Sequence, residues 1–173
     1  LTPGAGNDAF TCDSGTSGSL TDLAGNNSLT LPANGTGQIN GSVTFGDGTD
    51  RVEINSGVIT GAVNQGNGID DFVMNGGSLG FLAQGDGRDT FLMTGGSIAA
   101  AFEDGDVARM TGGSIGRVDM KLDNNIFDLS AGQIIGNLVT GFGTDTIIVS
   151  GGRIGGNVSV SGGNDSITVT GGE

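Results

Sequence analysis

The sequence predicts an all-β fold, a right-handed parallel β-helix (β-solenoid) with coils of about 19–20 residues. Three observations predict it. Glycines that close S/G-G pairs recur along most of the chain, at Gly57, Gly77, Gly96, Gly113, Gly132, Gly152 and Gly172, in steps of 20, 19, 17, 19, 20 and 20 residues. Apolar residues hold fixed offsets from those glycines. Between them apolar and polar residues alternate, as in Val52-Glu53-Ile54, which is the two-residue period of a strand, and no window carries a helical period.

Taken along one coil, the first strand is marked by the inward column five residues before the glycine: Val52, Phe72, Phe91, Ala108, Phe127, Ile147 and Ile167. A second inward column lies three before it, at Ile54, Met74, Met93, Met110, Leu129, Val149 and Val169. The glycine makes the turn. Two residues beyond it Ile59, Leu79, Ile98, Ile115, Ile134 and Ile154 mark the next strand, and Val63, Leu82, Ala101, Val118, Leu138 and Val158 mark the third. A coil of two or three short strands separated by glycine turns stacks its apolar columns on those of its neighbours. Roughly 8 such coils at about 4.8 Å each give a rod near 40 Å long.

Residues 1–45 are read as irregular N-terminal coils and residues 46–173 as the regular ones, all in one continuous domain. Asp8, Phe10, Cys12 and Gly15 fit the register of a first half-repeat, and Leu29, Leu31, Ile39 and Val43 that of the second, with PANGTG (32–37) as a small insertion. Cys12 falls in an inward column and is expected to be a small buried hydrophobe. Glu173 follows the glycine pair of an unfinished coil, so the last coil is expected to expose backbone and apolar side chains and to self-associate end to end.

Composition restricts function. The formal net charge is −13 and the six basic residues (Arg51, Arg88, Arg109, Arg117, Lys121, Arg153) are scattered, which argues against nucleic acid and anionic membrane surfaces as partners. No segment approaches the roughly 18 apolar residues of a membrane span. The chain has no His, so serine-triad and zinc chemistry lose their usual residue and the single Cys12 has no activating base. A carbohydrate-active β-helix enzyme is weighed, because aspartates one coil apart approach the roughly 5–5.5 Å carboxylate separation of retaining glycosidases. It is set aside, because nearly every coil carries the same Asp and every turn is short, whereas a catalytic pair needs a cleft and two different environments.

The sharpest candidate is an acidic column seven residues before each glycine: Asp50, Asp70, Asp89, Asp106, Asp145 and Asp165, with Asn125 in the same slot. The expected role is capping, each side chain accepting backbone N–H groups of its own glycine turn, with mutual repulsion raising the folded-state pKa values. On the outer surface Arg51 is expected over Asp71 and Arg109 over Asp128, as solvated ion pairs. Val73, Leu92, Phe142 and Ile148 stand at outward positions and form the candidate interaction surface.

Two resemblances follow from these residues. GDGTDRVEI (46–54), GNGIDDFVM (66–74), GDGRDTFLM (85–93), GFGTDTIIV (141–149) and GAGNDAFTC (4–12) resemble the calcium-binding nonapeptide of RTX β-rolls, which implies calcium at Asp50, Asp70, Asp89, Asp106, Asp145 and Asp165 as the alternative to capping with no cofactor. The glycine-rich coils over residues 4–173, such as SGGRIGGNVSVSGGNDSITVTGG (150–172), with a single cysteine and acidic charge, resemble the β-helical passenger domains of type V autotransporters of Gram-negative bacteria. That resemblance implies a secreted, surface-displayed structural and adhesive scaffold with no enzymatic activity. Its partner would be a host or bacterial surface protein or glycan, and this segment would not insert into a membrane.

Overall fold

The structure, a computed structural model, describes residues 3–173, and every regular element among them is a β-strand. Twenty strands join one parallel sheet wound into a solenoid of about eight turns, and a short second pairing links Asp47–Gly48 to Asn67–Gly68. The first face of the rod carries nine rungs, beginning Ala9–Thr11, Ser28–Leu31, Arg51–Ile54, Asp71–Met74 and Thr90–Met93 and ending Thr146–Val149 and Ser166–Val169. The second face stacks short strands such as Gln38–Ile39 and Arg153–Ile154, and the third stacks Leu20–Asp22, Val43–Phe45, Val118–Asp119 and Leu138–Gly141.

The predicted columns are the core. On the first face Phe72 pairs with Val52 on one side and Phe91 on the other, while Met74 pairs with Ile54 and Met93. These residues, with Ile59, Leu79, Ile98, Ile115, Ile134, Leu129 and Ile147, are buried. Each such side chain contributes about 1.5–3 kcal/mol by leaving water, and a coil obtains that burial only from its neighbours. Phe72, Phe91 and Phe102 continue as a ring stack, with centroids 5.6 and 4.2 Å apart.

The marker glycines have a backbone reason. Gly57 has φ +75°, and a Cβ on it would lie 2.4 Å from the carbonyl oxygen of Gly37 in the preceding coil. The left-handed turn and the close approach of stacked backbones both demand glycine there.

Two departures from a constant coil have a local cause. Leu31 and Gln38 stand seven residues apart where their partners Ile54 and Val58 stand four apart, so the PANGTG insertion adds three residues at one corner. In the 17-residue coil, Glu103 and Val107 stand four residues apart where their partners Ala83 and Thr90 stand seven apart, so this turn lacks three residues of the G-x-G arch at 85–87.

The third apolar column needs one correction. Leu82 pairs with Phe102, and Phe102 with Val118, whereas Ala101 pairs with Phe81. One extra residue between Ile98 and Ala101 shifts the register by a position, and Phe102 takes the inward slot assigned to Ala101. Ala101 is nonetheless buried beside it.

Burial fails at the two ends. Cys12 is half-buried rather than buried, because it belongs to the first rung and borders a cavity of about 230 Å³ between Phe10, Leu20, Leu29 and Ile39. Val158, Ile167 and Val169 keep their column positions but are exposed on the last rungs.

Candidate functional site

The acidic column runs inside the corner where the third face turns into the first. Asp50, Asp70, Asp89 and Asp145 are fully buried and Asp106 almost so, while Asp165 on the last rung is only half-buried. Their side chains form a ladder. The backbone N–H of Asn27 donates to Asp50 Oδ1 at 2.6 Å, that of Asp50 to Asp70 Oδ1 at 2.8 Å, and that of Asp70 to Asp89 Oδ1 at 2.8 Å. The N–H of Asp89 donates to Asp106 Oδ2 at 2.9 Å, that of Asn125 to Asp145 Oδ1 at 2.9 Å, and that of Asp145 to Asp165 Oδ1 at 3.0 Å. Each aspartate therefore serves the column residue of the preceding coil, which corrects the expectation that it caps its own glycine turn. At the corner the strands part, so the N–H of the column residue meets a side-chain oxygen of the next coil where a strand would offer a carbonyl.

The second oxygen of these carboxyls is treated very differently. Oδ2 of Asp50, Asp70, Asp89 and Asp145 is buried with no hydrogen-bond partner. Burial is the main cause that pushes Asp50, Asp70, Asp89 and Asp106 up, opposed by the N–H bonds. Asp70 rises to about 6 and Asp89 to about 7, and Asp50 and Asp106 are raised as well. Repulsion from neighbouring carboxylates adds to burial as a smaller contribution, which revises its expected place as the cause.

Beside the aspartates runs a second buried polar set that the apolar columns did not reveal. Gln65, Gln84 and Thr140 are fully buried, each five residues before a column aspartate. Gln65 Nε2 donates to the carbonyl of Asp71 at 3.0 Å, and Gln84 Nε2 to that of Thr90 at 2.9 Å and to Gln65 Oε1 at 3.2 Å. The signal was present as a polar residue recurring at one offset, but Phe45 and Met120 share the slot and break the pattern.

Asn125 interrupts the carboxylates. Its Nδ2 donates to the carbonyls of Leu122 at 3.0 Å and Thr140 at 2.9 Å, bonds that a carboxylate cannot make. Next to it the missing arch of the short coil leaves a notch of about 110 Å³, walled by Asp86, Asp104, Asp106, Lys121 and Asp123. Lys121 Nζ holds Asp104 at 2.9 Å and Glu103 at 3.0 Å, and Asp104, Lys121 and Asp123 all have positive φ. The 17-residue step marked this coil as irregular without showing that acidic groups gather there. Among the described residues no three acidic or cysteine side chains are arranged to hold a metal ion.

On the outer surface Arg51 pairs with Asp71 and also with Glu53 at 3.0 Å, and Arg109 approaches Asp128 at 3.9 Å. The structure brings Val73 and Leu92 together as direct cross-strand neighbours, flanked by Glu53 and Arg109. Ile148 lies two rungs beyond Arg109, next to Asp128 and Thr168. Phe142 sits apart, well exposed on the corner, one coil below the equally exposed Leu122. The four residues therefore do not form one patch.

Fold and column together define a repeat protein of the parallel β-solenoid class, a scaffold in which polar as well as apolar side chains stack from coil to coil. No protein-family model matches the chain, and no curated protein or solved structure matches it.

Proposed function

We propose that this chain is a secreted, surface-displayed rod of the autotransporter-passenger kind, acting as a structural and adhesive scaffold between a bacterial surface and a host or bacterial surface protein or glycan. The observation that carries this reading is the unbroken parallel pairing of nine rungs from Ala9 to Val169, which winds residues 9–169 into a rod with short turns. The acidic exterior supports solubility and repulsion between rods, and a fold without disulfides suits assembly outside the cell without an oxidant. The half-buried pair Val73 and Leu92 and the exposed Phe142 are the apolar points through which such a rod would grip a partner.

Displaying the chain on a non-adherent bacterium tests this directly, with adhesion to cultured epithelial cells, to other bacteria and to immobilised glycans as the readout. Several-fold more adhesion than with an unrelated displayed rod is expected. Adhesion equal to the control on all three surfaces would overturn the adhesive reading.

A further inference from the structure

The interior corner carries a surplus of hydrogen-bond acceptors. Oδ2 of Asp50, Asp70, Asp89 and Asp145, Oδ2 of Asp22, Oε1 of Gln84 and Oδ1 of Asn125 are all buried without a donor, and only Thr140 Oγ1 among the unpartnered atoms carries a hydrogen. Unpaired buried acceptors are expensive, and ionised ones more so. A proton on a carboxyl removes the charge and turns one acceptor into a donor. Gln84 bonds the carbonyl of Thr90, directly after Asp89, so the unpartnered Gln84 Oε1 and Asp89 Oδ2 occupy the same corner.

We propose that the column of Asp50, Asp70 and Asp89 is a proton-filled seam: the chain takes up protons at these carboxyls as its coils stack, so that the rod closes in mildly acidic surroundings and loosens in alkaline ones. The groups facing the seam reinforce it. Asp22 faces Asp50, Asp50 faces Asp70, and Asp70, Asp86 and Asp106 face Asp89. Asp106, at the edge of the seam, is itself faced by Asp123 and Asp104, while the cation Arg88 opposes proton uptake there. The direction follows from linkage. A carboxyl that holds its proton more tightly folded than unfolded lowers stability at alkaline pH, and that loss is relieved as the pH falls through about 7 for Asp89 and about 6 for Asp70 toward the ordinary 3.8.

The test combines thermal melts of the intact chain from pH 8 to pH 5 with isotope-edited infrared spectra of aspartate-labelled protein. The melting temperature should rise by about 5 °C or more on acidification, and a protonated-carboxyl band should be present in the folded protein at pH 6 and absent after unfolding. The double variant Asp70→Asn/Asp89→Asn, whose amides keep the N–H acceptors and supply the missing donors, should melt higher than the wild type at pH 8 and lose at least half of the pH slope. The surface variant Asp128→Asn should keep the slope. A flat or reversed wild-type profile, or a folded double variant with the full slope, would overturn the proposal. So would a melting temperature several degrees higher in millimolar calcium than in chelator and lost in the double variant, which would place a cation in the seam. Should the double variant fail to fold, the infrared band decides, and its absence at pH 6 sinks the idea.

Discussion

The backbone N–H of Asp70 donates to Oδ1 of Asp89 at 2.8 Å, across one step of the solenoid and inside its core. The bond joins two consecutive coils at the corner where strand pairing stops. It gives the aspartate that recurs there a structural role, as acceptor for the N–H of the coil before it. Asp89→Ala removes the acceptor and leaves a buried N–H unpaired, a loss of about 1–3 kcal/mol. Asp89→Asn keeps the acceptor and is expected to match or exceed the wild type at pH 8. Equal losses in the two variants in urea melts would contradict the ladder.

Asn125 is the natural counterpart of that experiment. Asn125→Asp exchanges two donated bonds, to the carbonyls of Leu122 and Thr140, for a carboxylate facing two carbonyl oxygens. A loss of about 2–4 kcal/mol is expected at pH 8. Such a carboxyl titrates above its unfolded value, so part of the loss should return as the pH falls to 5. A loss independent of pH would show that the carbonyl contacts do not decide it.

Glycines divide by what lies next to them. Gly87 has φ +145°, and a Cβ there would meet the carbonyl oxygen of Gly68 at 1.4 Å, so Gly87→Ala must push two coils apart. Gly15 has φ +78° with open space around it, so Gly15→Ala bears only the left-handed penalty of about 1–2 kcal/mol. Comparable melting temperatures for the two variants would contradict the close stacking of the arches.

Phe91 lies between Phe72 and Phe102 in the ring stack and is buried. Phe91→Ala is expected to cost about 3–5 kcal/mol, measured by denaturant melts. A loss below about 1 kcal/mol would mean that the coils collapse freely around the gap.

The surface pairs should matter far less. Arg109 and Asp128 are 3.9 Å apart and largely solvated, so Arg109→Ala should change stability by no more than about 1 kcal/mol, and salt should erase the difference. A larger effect that persists in high salt would show that the pair is more than a solvated contact.

Much of this protein was determined by the sequence alone. The glycine steps, the two-residue alternation and the apolar columns fixed the coil length and nearly all of the core, because in a solenoid each residue meets its equivalent one coil away, while two or three strands per coil stayed open until the structure showed three faces. The aspartate column was legible for the same reason. What its side chains bond was not. Asp89 reaches the N–H of Asp70 in the coil before it, and that partner depends on how two coils are offset along the rod axis. Tertiary structure also placed Phe102 where the repeat pointed to Ala101, since one extra residue at a bulge moves the register and the shorter turn of the same coil hides it in the glycine step. It set Gln65 and Gln84 inside, because their amides bond carbonyls left free at the corner. It gathered Asp86, Asp104, Asp106 and Asp123 around the gap of the short turn, too. A period reveals which residues stack; only the winding of the chain decides what the corners, where the sheet breaks, bring within reach of one another.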